Sequence, residues 1–168
     1  EQIVRELSAL SLAEGLMPAN ERLYGKLALG ITVTEFMPDG KKHQPTIAMI
    51  DWTDSSANRW DVTEELEVLS AQGTHHRTPD VVAYVNGIPL AVVECKNPTL
   101  GDKSLDEAIE QLERYQELGE RFRGLGAPHL FHTAQILVAT CGQGARFGTV
   151  GTPACFFGEW KITEPKAL

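Results

Sequence analysis

The sequence predicts an α/β fold with a mixed central sheet flanked by helices. Three observations predict it. A hairpin pattern fills Thr78 to Lys96, an amphipathic helix pattern runs from Ser104 to Leu118, and a short buried strand pattern follows at Gln135 to Thr140. Strand pairs beside a long amphipathic helix must bury their apolar faces against one another. The length of 168 residues fits one domain with a sizeable core. The hydrophobic share of 42% and charged share of 23% are those of an ordinary globular chain.

At the N-terminus, Ile3, Val4, Leu7 and Leu10 stand at helical spacing. A short helix over Glu1 to Leu12 should pack this face on the sheet, with Gly15 and Pro18 ending it. Asn20 to Lys26 reads as a turn or short helix. Leu27 to Phe36 is rich in β-formers and alternates, and Pro38-Asp39-Gly40 signals a turn. Thr46 to Trp52 then reads as a second strand. Asp54 to Trp60 is polar and reads as a loop, and Asp61 to Ala71 as a third strand.

The hairpin is the clearest feature. Val81 to Val85 and Ile88 to Val93 flank Asn86-Gly87, and both turn residues tolerate the positive φ of a type I′ turn. Asn97-Pro98 stops the second strand. In the helix that follows, Ser104 and Glu107 have capping-box spacing, and Leu105, Ala108, Leu112 and Tyr115 form an apolar stripe. Gln111 and Tyr115 are four apart and share a face. A Gly-containing connector carries Arg121 and Arg123. Ala145 to Val150 reads as another strand, and Phe156 to Lys161 closes the region.

The hairpin also carries the chemistry. Asp80 lies at the mouth of its first strand, and Glu94 and Lys96 lie near the end of its second. Alternation puts Glu94 and Lys96 on one face and Cys95 on the other. Folding at Asn86-Gly87 brings Asp80 and Glu94 to the same end. Two carboxylate ligands suit Mg²⁺, with Mn²⁺ as a substitute, because such a site keeps waters and takes up phosphate oxygens. A lysine beside them can position or deprotonate an attacking water, and metal-assisted phosphodiester cleavage needs little else. The plain alternative is a solvated pair of strand-end charges. Glu94 and Lys96 interrupt a nearly continuous apolar strand, however, where an unpaired charge is costly.

Other features narrow the reading. Cys95, Cys141 and Cys155 form no C-x-x-C pair, which points to a reducing compartment and buried thiols. Cys95 should face a packed helix or the sheet interior. The adjacent His75 and His76 cannot both face one metal from a regular strand and read as solvated surface residues, and His129 and His132 lack a third ligand and read as packing or surface residues. His75-His76-Arg77 just before Asp80 can also act as a loop bringing positive charge to the site. The net charge of −8 counts against a tight stand-alone nucleic-acid binder. No G-x-x-x-x-G-K-[ST] occurs, so the chain itself holds no P-loop for ATP. No apolar run nears the ~20 residues that span a bilayer.

Pro79-Asp80 and Glu94-Cys95-Lys96 resemble the motif of the PD-(D/E)xK nuclease superfamily. The wider wording PDVVAYVNGIPLAVVECKNP, with LFHTAQILVAT, RFGTVGTP and EWK downstream, resembles the nuclease domain at the N-terminal end of type I restriction enzyme R (motor) subunits. The resemblance runs from about Asn20 to Lys161. It implies a restriction-endonuclease-like sheet and a Mg²⁺-dependent DNA endonuclease in the cytoplasm. It implies that residues 1–168 are one nuclease domain, the N-terminal fragment of a longer motor subunit; the initial Glu1 fits an excised piece. Asp80, Glu94 and the Cys95 backbone carbonyl would hold the metal, and Lys96 would orient the attacking water.

The same resemblance gives Gln111 and Tyr115 a meaning, as a Q-x-x-x-Y pair that contacts DNA or supports the site. The alternative is a core tyrosine beside a merely polar glutamine. Asp51-Trp52 and Asn58 look like a block that precedes the motif in this family, with Asp51 as an acid near the site or as a turn stabiliser. Members of the superfamily often carry an extra acid on the first helix, and Glu6 or Glu14 would be that acid here, or else a solvated side chain. The partners implied are double-stranded DNA and the methylation and specificity subunits, with no membrane, and ATP would act only through motor domains absent from this chain. Two rivals stand beside this reading: a PD-(D/E)xK nuclease of a repair or other defence system, and a non-catalytic docking module.

Overall fold

The computed structural model describes residues 2–8, 14–70, 72–100 and 102–161. Two helices come first, α1 (Gln2–Ser8) and α2 (Leu16–Leu29). Two small ladders follow: β1 (Ile31–Thr32) pairs with β4 (Thr46–Ile47) around β2 (Glu35–Phe36) paired with β3 (Lys42–His43). After β5 (Trp60–Glu64), β6 (Val68–Leu69) pairs with β7 (His76–Arg77). The hairpin is β8 (Val81–Val85) and β9 (Ile88–Cys95). Next come α3 (Asp102–Gln116), β10 (Ile136–Thr140), β11 (Ala145–Gly148) and β12 (Gly158–Glu159).

Six strands form the central sheet in the order β12-β11-β10-β9-β8-β5. Only the β9–β10 pair is parallel; the other ladders run antiparallel, so the sheet is mixed. The parallel step needs a crossover, and α3 supplies it. The hairpin forms as its turn residues require: Asn86 has φ 51° and Gly87 φ 81°. Asn86 also ties the turn down, since its amide group donates to Met49 O (2.8 Å) and Asn58 Oδ1 (2.9 Å).

The core lies between the sheet and α3. Leu105, Ala108, Ile109, Leu112 and Tyr115 are buried at helical spacing, and the last four meet Val82, Val92, Leu137 and Ala139 of the strands, together with Phe131. A smaller cluster of Leu27, Ile50 and Val85 ties α2 to the hairpin.

Several expectations for the N-terminal part are corrected. Gly15 and Pro18 open α2 rather than close α1. Leu16, Ala19, Leu23 and Leu27 carry its buried face, and a proline in the first turn gives up an N–H that has no helical partner there. The strand expected from Leu27 is helical to Leu29. Gly30 then breaks the helix at φ 83°, where an added Cβ would stand 2.7 Å from Ile47 O. Thr46 to Trp52 pairs only over its first two residues, because Asp51 starts a side-chain-bonded turn. None of the residues of α1 whose burial is described is buried, and Lys26 of α2 holds Glu6 at 2.7 Å, so α1 sits against α2 rather than on the sheet. Leu10 lies outside the described residues.

Candidate active site

The β8–β9 ladder pairs Val81 with Val93, so Asp80 and Glu94 stand one step beyond that pair. The Asp80 carboxylate accepts the Cys95 amide N–H at 2.6 Å through Oδ2. Lys96 Nζ donates to Glu94 Oε1 at 2.6 Å, and its own amide donates to Thr140 O at 2.8 Å. The sheet thus fixes both ends of the triplet Glu94-Cys95-Lys96, and the three expected residues converge.

Glu94 is 0% exposed, on the same side of β9 as Val92. Its Oε2 has no hydrogen-bond partner. Burial pushes the Glu94 carboxyl up to about 7 against the pull of Lys96, and the nearby Asp80 carboxylate pushes the same way. One ammonium group does not neutralise two neighbouring carboxylates. An orphaned, buried carboxylate oxygen beside a second carboxylate is the donor set of a hard divalent cation.

Gln111 and Tyr115 join the site through the backbone. Gln111 Nε2 donates to the Tyr115 hydroxyl at 2.6 Å, and that hydroxyl donates to Thr78 O at 3.2 Å, two residues before Asp80. Burial pushes the Tyr115 phenol up and the Gln111 hydrogen bond pulls it down; Glu94 and Asp80 push it up, and Arg77 pulls it down. The phenol therefore lies within electrostatic reach of both site carboxylates and of Arg77. Thr78 escaped the sequence reading because its contribution is a carbonyl, which every residue has.

Other expectations fall differently. Cys95 is exposed, not packed, because Glu94 takes the side of the strand that α3 covers and alternation turns Cys95 away. Cys155 is exposed too, and only Cys141 is buried as expected. Ser104 does not cap the helix. Since α3 starts at Asp102, Ser104 lies inside it, buried, and donates to Asn97 O at 2.6 Å. That bond fastens α3 to the chain leaving Lys96. Asp51 takes the turn role: its Oδ1 accepts from the Thr53 amide, the Thr53 hydroxyl and the Asp54 amide, and Asn58 clasps its backbone N–H and carbonyl.

Glu14 pairs with Arg22, as Glu6 does with Lys26, so each acid is held by a cation on α2. Burial, and then the charge of His129, hold the His132 imidazole below its ordinary value. Among the described residues, no group of three or more His, Cys, Asp or Glu side chains is placed to hold a metal. Any cation here must lean on two carboxylates, backbone and water. No helix among the described residues is long and apolar enough to cross a membrane.

Residues 1–154 match the family described as type I restriction enzyme R protein N terminus. The chain belongs to this family. Among curated relatives, it is 31% identical over 152 residues to the type I restriction enzyme HindI endonuclease subunit of Haemophilus influenzae, which is 90% of this chain and 13% of that protein. It is 27% identical over 142 residues to a provisionally named type I restriction enzyme MjaIXP endonuclease subunit of Methanocaldococcus jannaschii, covering 84% of this chain and 13% of the relative. The chain thus spans about an eighth of the length of these relatives, and its R-subunit N-terminal character is what they share with it.

Proposed function

We propose that this chain is the PD-(D/E)xK endonuclease domain of a type I restriction R subunit, cutting DNA with Mg²⁺ held by Asp80 and Glu94. The observation that carries the reading is the buried Glu94 carboxylate with an unpartnered oxygen beside Asp80. The Cys95 carbonyl is a third oxygen within the same strand end. In an extended residue the N–H and C=O point to the same side, and the Cys95 N–H points at Asp80. When bound, the cation supplies positive charge against the phosphate and makes water a better nucleophile at neutral pH.

Lys96, with its Nζ on Glu94 and its side chain still partly exposed, would orient the attacking water and hold a proton near it. Glu94 holds that ammonium in place. Gln111 and Tyr115 hold the Thr78 carbonyl, and with it the segment that delivers Asp80. In the longer protein, cleavage would follow ATP-driven translocation by motor domains, in complex with methylation and specificity subunits.

The test is Mg²⁺ calorimetry on this chain, with a plasmid-nicking assay beside it. Asp80→Ala should abolish binding. Lys96→Ala should keep binding and stop nicking. Wild type that binds neither Mg²⁺ nor Mn²⁺ at millimolar levels would sink the metal-site reading and favour the docking module.

A further inference from the structure

We propose that Arg77 grips a DNA backbone phosphate next to the Asp80–Glu94 site, its guanidinium aimed by the carbonyls of Leu125 and His76. The proposal rests on the nuclease reading above and adds to it the residue that brings substrate to a site of like charge.

The problem is electrostatic. The chain carries a net charge of −8, and its site presents two carboxylates to a polyanion. A local, unneutralised cation is needed, and most cations of the chain are committed elsewhere. Lys96 is paired with Glu94, Arg121 with Glu110 and Glu113, Arg123 with Glu120, and Arg146 with Asp106.

Arg77 differs. Among the described residues no carboxylate pairs with it. Its Nε donates to Leu125 O and its Nη1 to His76 O (3.0 Å). Both acceptors are neutral, so they orient the group without cancelling its charge. A guanidinium has five N–H donors, and these contacts leave the rest free for the forked contact that suits a phosphate. Glu67 Oε1 stands 2.8 Å from Nδ1 of His76, the residue before Arg77.

Position supports the same role. Arg77 ends β7 and precedes Thr78, whose carbonyl Tyr115 holds; Asp80 is three residues on. Leu125 belongs to the connector leaving α3, which is pinned to the same tyrosine by Ala127 N–H on Tyr115 O (2.8 Å). Two segments therefore meet over Tyr115, and Arg77 stands at their junction.

The experiment is fluorescence anisotropy of a short labelled duplex titrated with the whole chain in EDTA, over a range of low salt concentrations. Wild type is compared with Arg77→Ala, Arg77→Lys and Arg59→Ala, the last an arginine paired with Asp61 beside the Asn86-Gly87 turn, at the opposite end of the hairpin from Asp80. Arg77→Ala should weaken binding about tenfold and lower the slope of log affinity against log salt by about one. Arg77→Lys should restore the slope while recovering only part of the affinity, and Arg59→Ala should match wild type. Equal affinity and slope for Arg77→Ala and wild type would overturn the proposal. So would a loss that Arg77→Lys does not restore in slope, which marks a clamp, or a wild type that binds no duplex at low salt. Because EDTA removes metal, these readouts are separate from Mg²⁺ calorimetry, whose failure would count against the nuclease reading alone.

Discussion

Lys96 Nζ lies 2.6 Å from Glu94 Oε1, yet the other Glu94 oxygen, fully buried, has no partner. A buried ion pair left half satisfied is unfavourable for folding and favourable for capturing a cation.

The first prediction concerns pH. The Glu94 carboxyl is raised from 4.5 to about 7, so below that pH the folded, metal-free state holds it protonated and above it ionised. Its contribution to stability is fully present below the unfolded pKa of about 4.5 and is lost as pH rises through about 7, at about 1.4 kcal/mol for each unit of separation. Urea unfolding of wild type and Glu94→Gln should show the variant gaining on wild type between pH 5 and pH 8. A gap that does not change with pH would contradict the assignment.

Metal binding should run the other way. Protons and Mg²⁺ compete for Glu94, so affinity should fall as pH drops below about 7 and level off above it. Calorimetry in buffers of different ionisation enthalpy should show proton release near pH 6 and little at pH 8.

Tyr115→Phe should preserve the fold and lose about 1–2 kcal/mol, because it breaks one bond to Thr78 O and strands the Gln111 amide. Gln111→Ala on top of it should cost little more. A coupling near zero in that double-mutant cycle would mean the pair does not act as a unit.

Asn58→Ala should cost more, about 2–4 kcal/mol, since this buried side chain bonds Asp51 on both sides and accepts from Asn86 at the hairpin turn. Asp51→Ala should shift the melting temperature only modestly and leave Mg²⁺ affinity unchanged. Loss of metal binding in Asp51→Ala would give Asp51 a ligand role that the turn geometry does not indicate.

Gly126→Ala should destabilise by more than about 2 kcal/mol, because a Cβ there would stand 2.5 Å from Tyr115 O and 2.6 Å from Arg114 O. Thermal melts would show it directly.

By itself the sequence determined what depends on neighbours along the chain. The hairpin was legible because Asn86-Gly87 can adopt two positive φ values in succession. The buried stripe of α3 was legible because Leu105, Ala108, Leu112 and Tyr115 repeat at the helical period. The strand at Ile136 was legible as an apolar run bounded by turns. The meeting of Asp80 and Glu94 at one end of the hairpin followed from the turn, but their register did not: the ladder shifts by one residue between Ala83 and Tyr84, and that shift brings Asp80 level with Glu94.

What depends on contacts far along the chain was decided only in three dimensions. Leu27 to Leu29 could serve a strand or a helix, and burial of α2 against Ile50 and Val85 chose the helix. Ser104 had the spacing of a cap, but Asn97 O offered it a buried acceptor and α3 began earlier. Alternation said that Glu94 and Cys95 face apart; only the packing of α3 said that the acid, not the thiol, goes inside. That choice leaves one oxygen of Glu94 buried and unpartnered, because no local pattern records which face of a strand another element will cover.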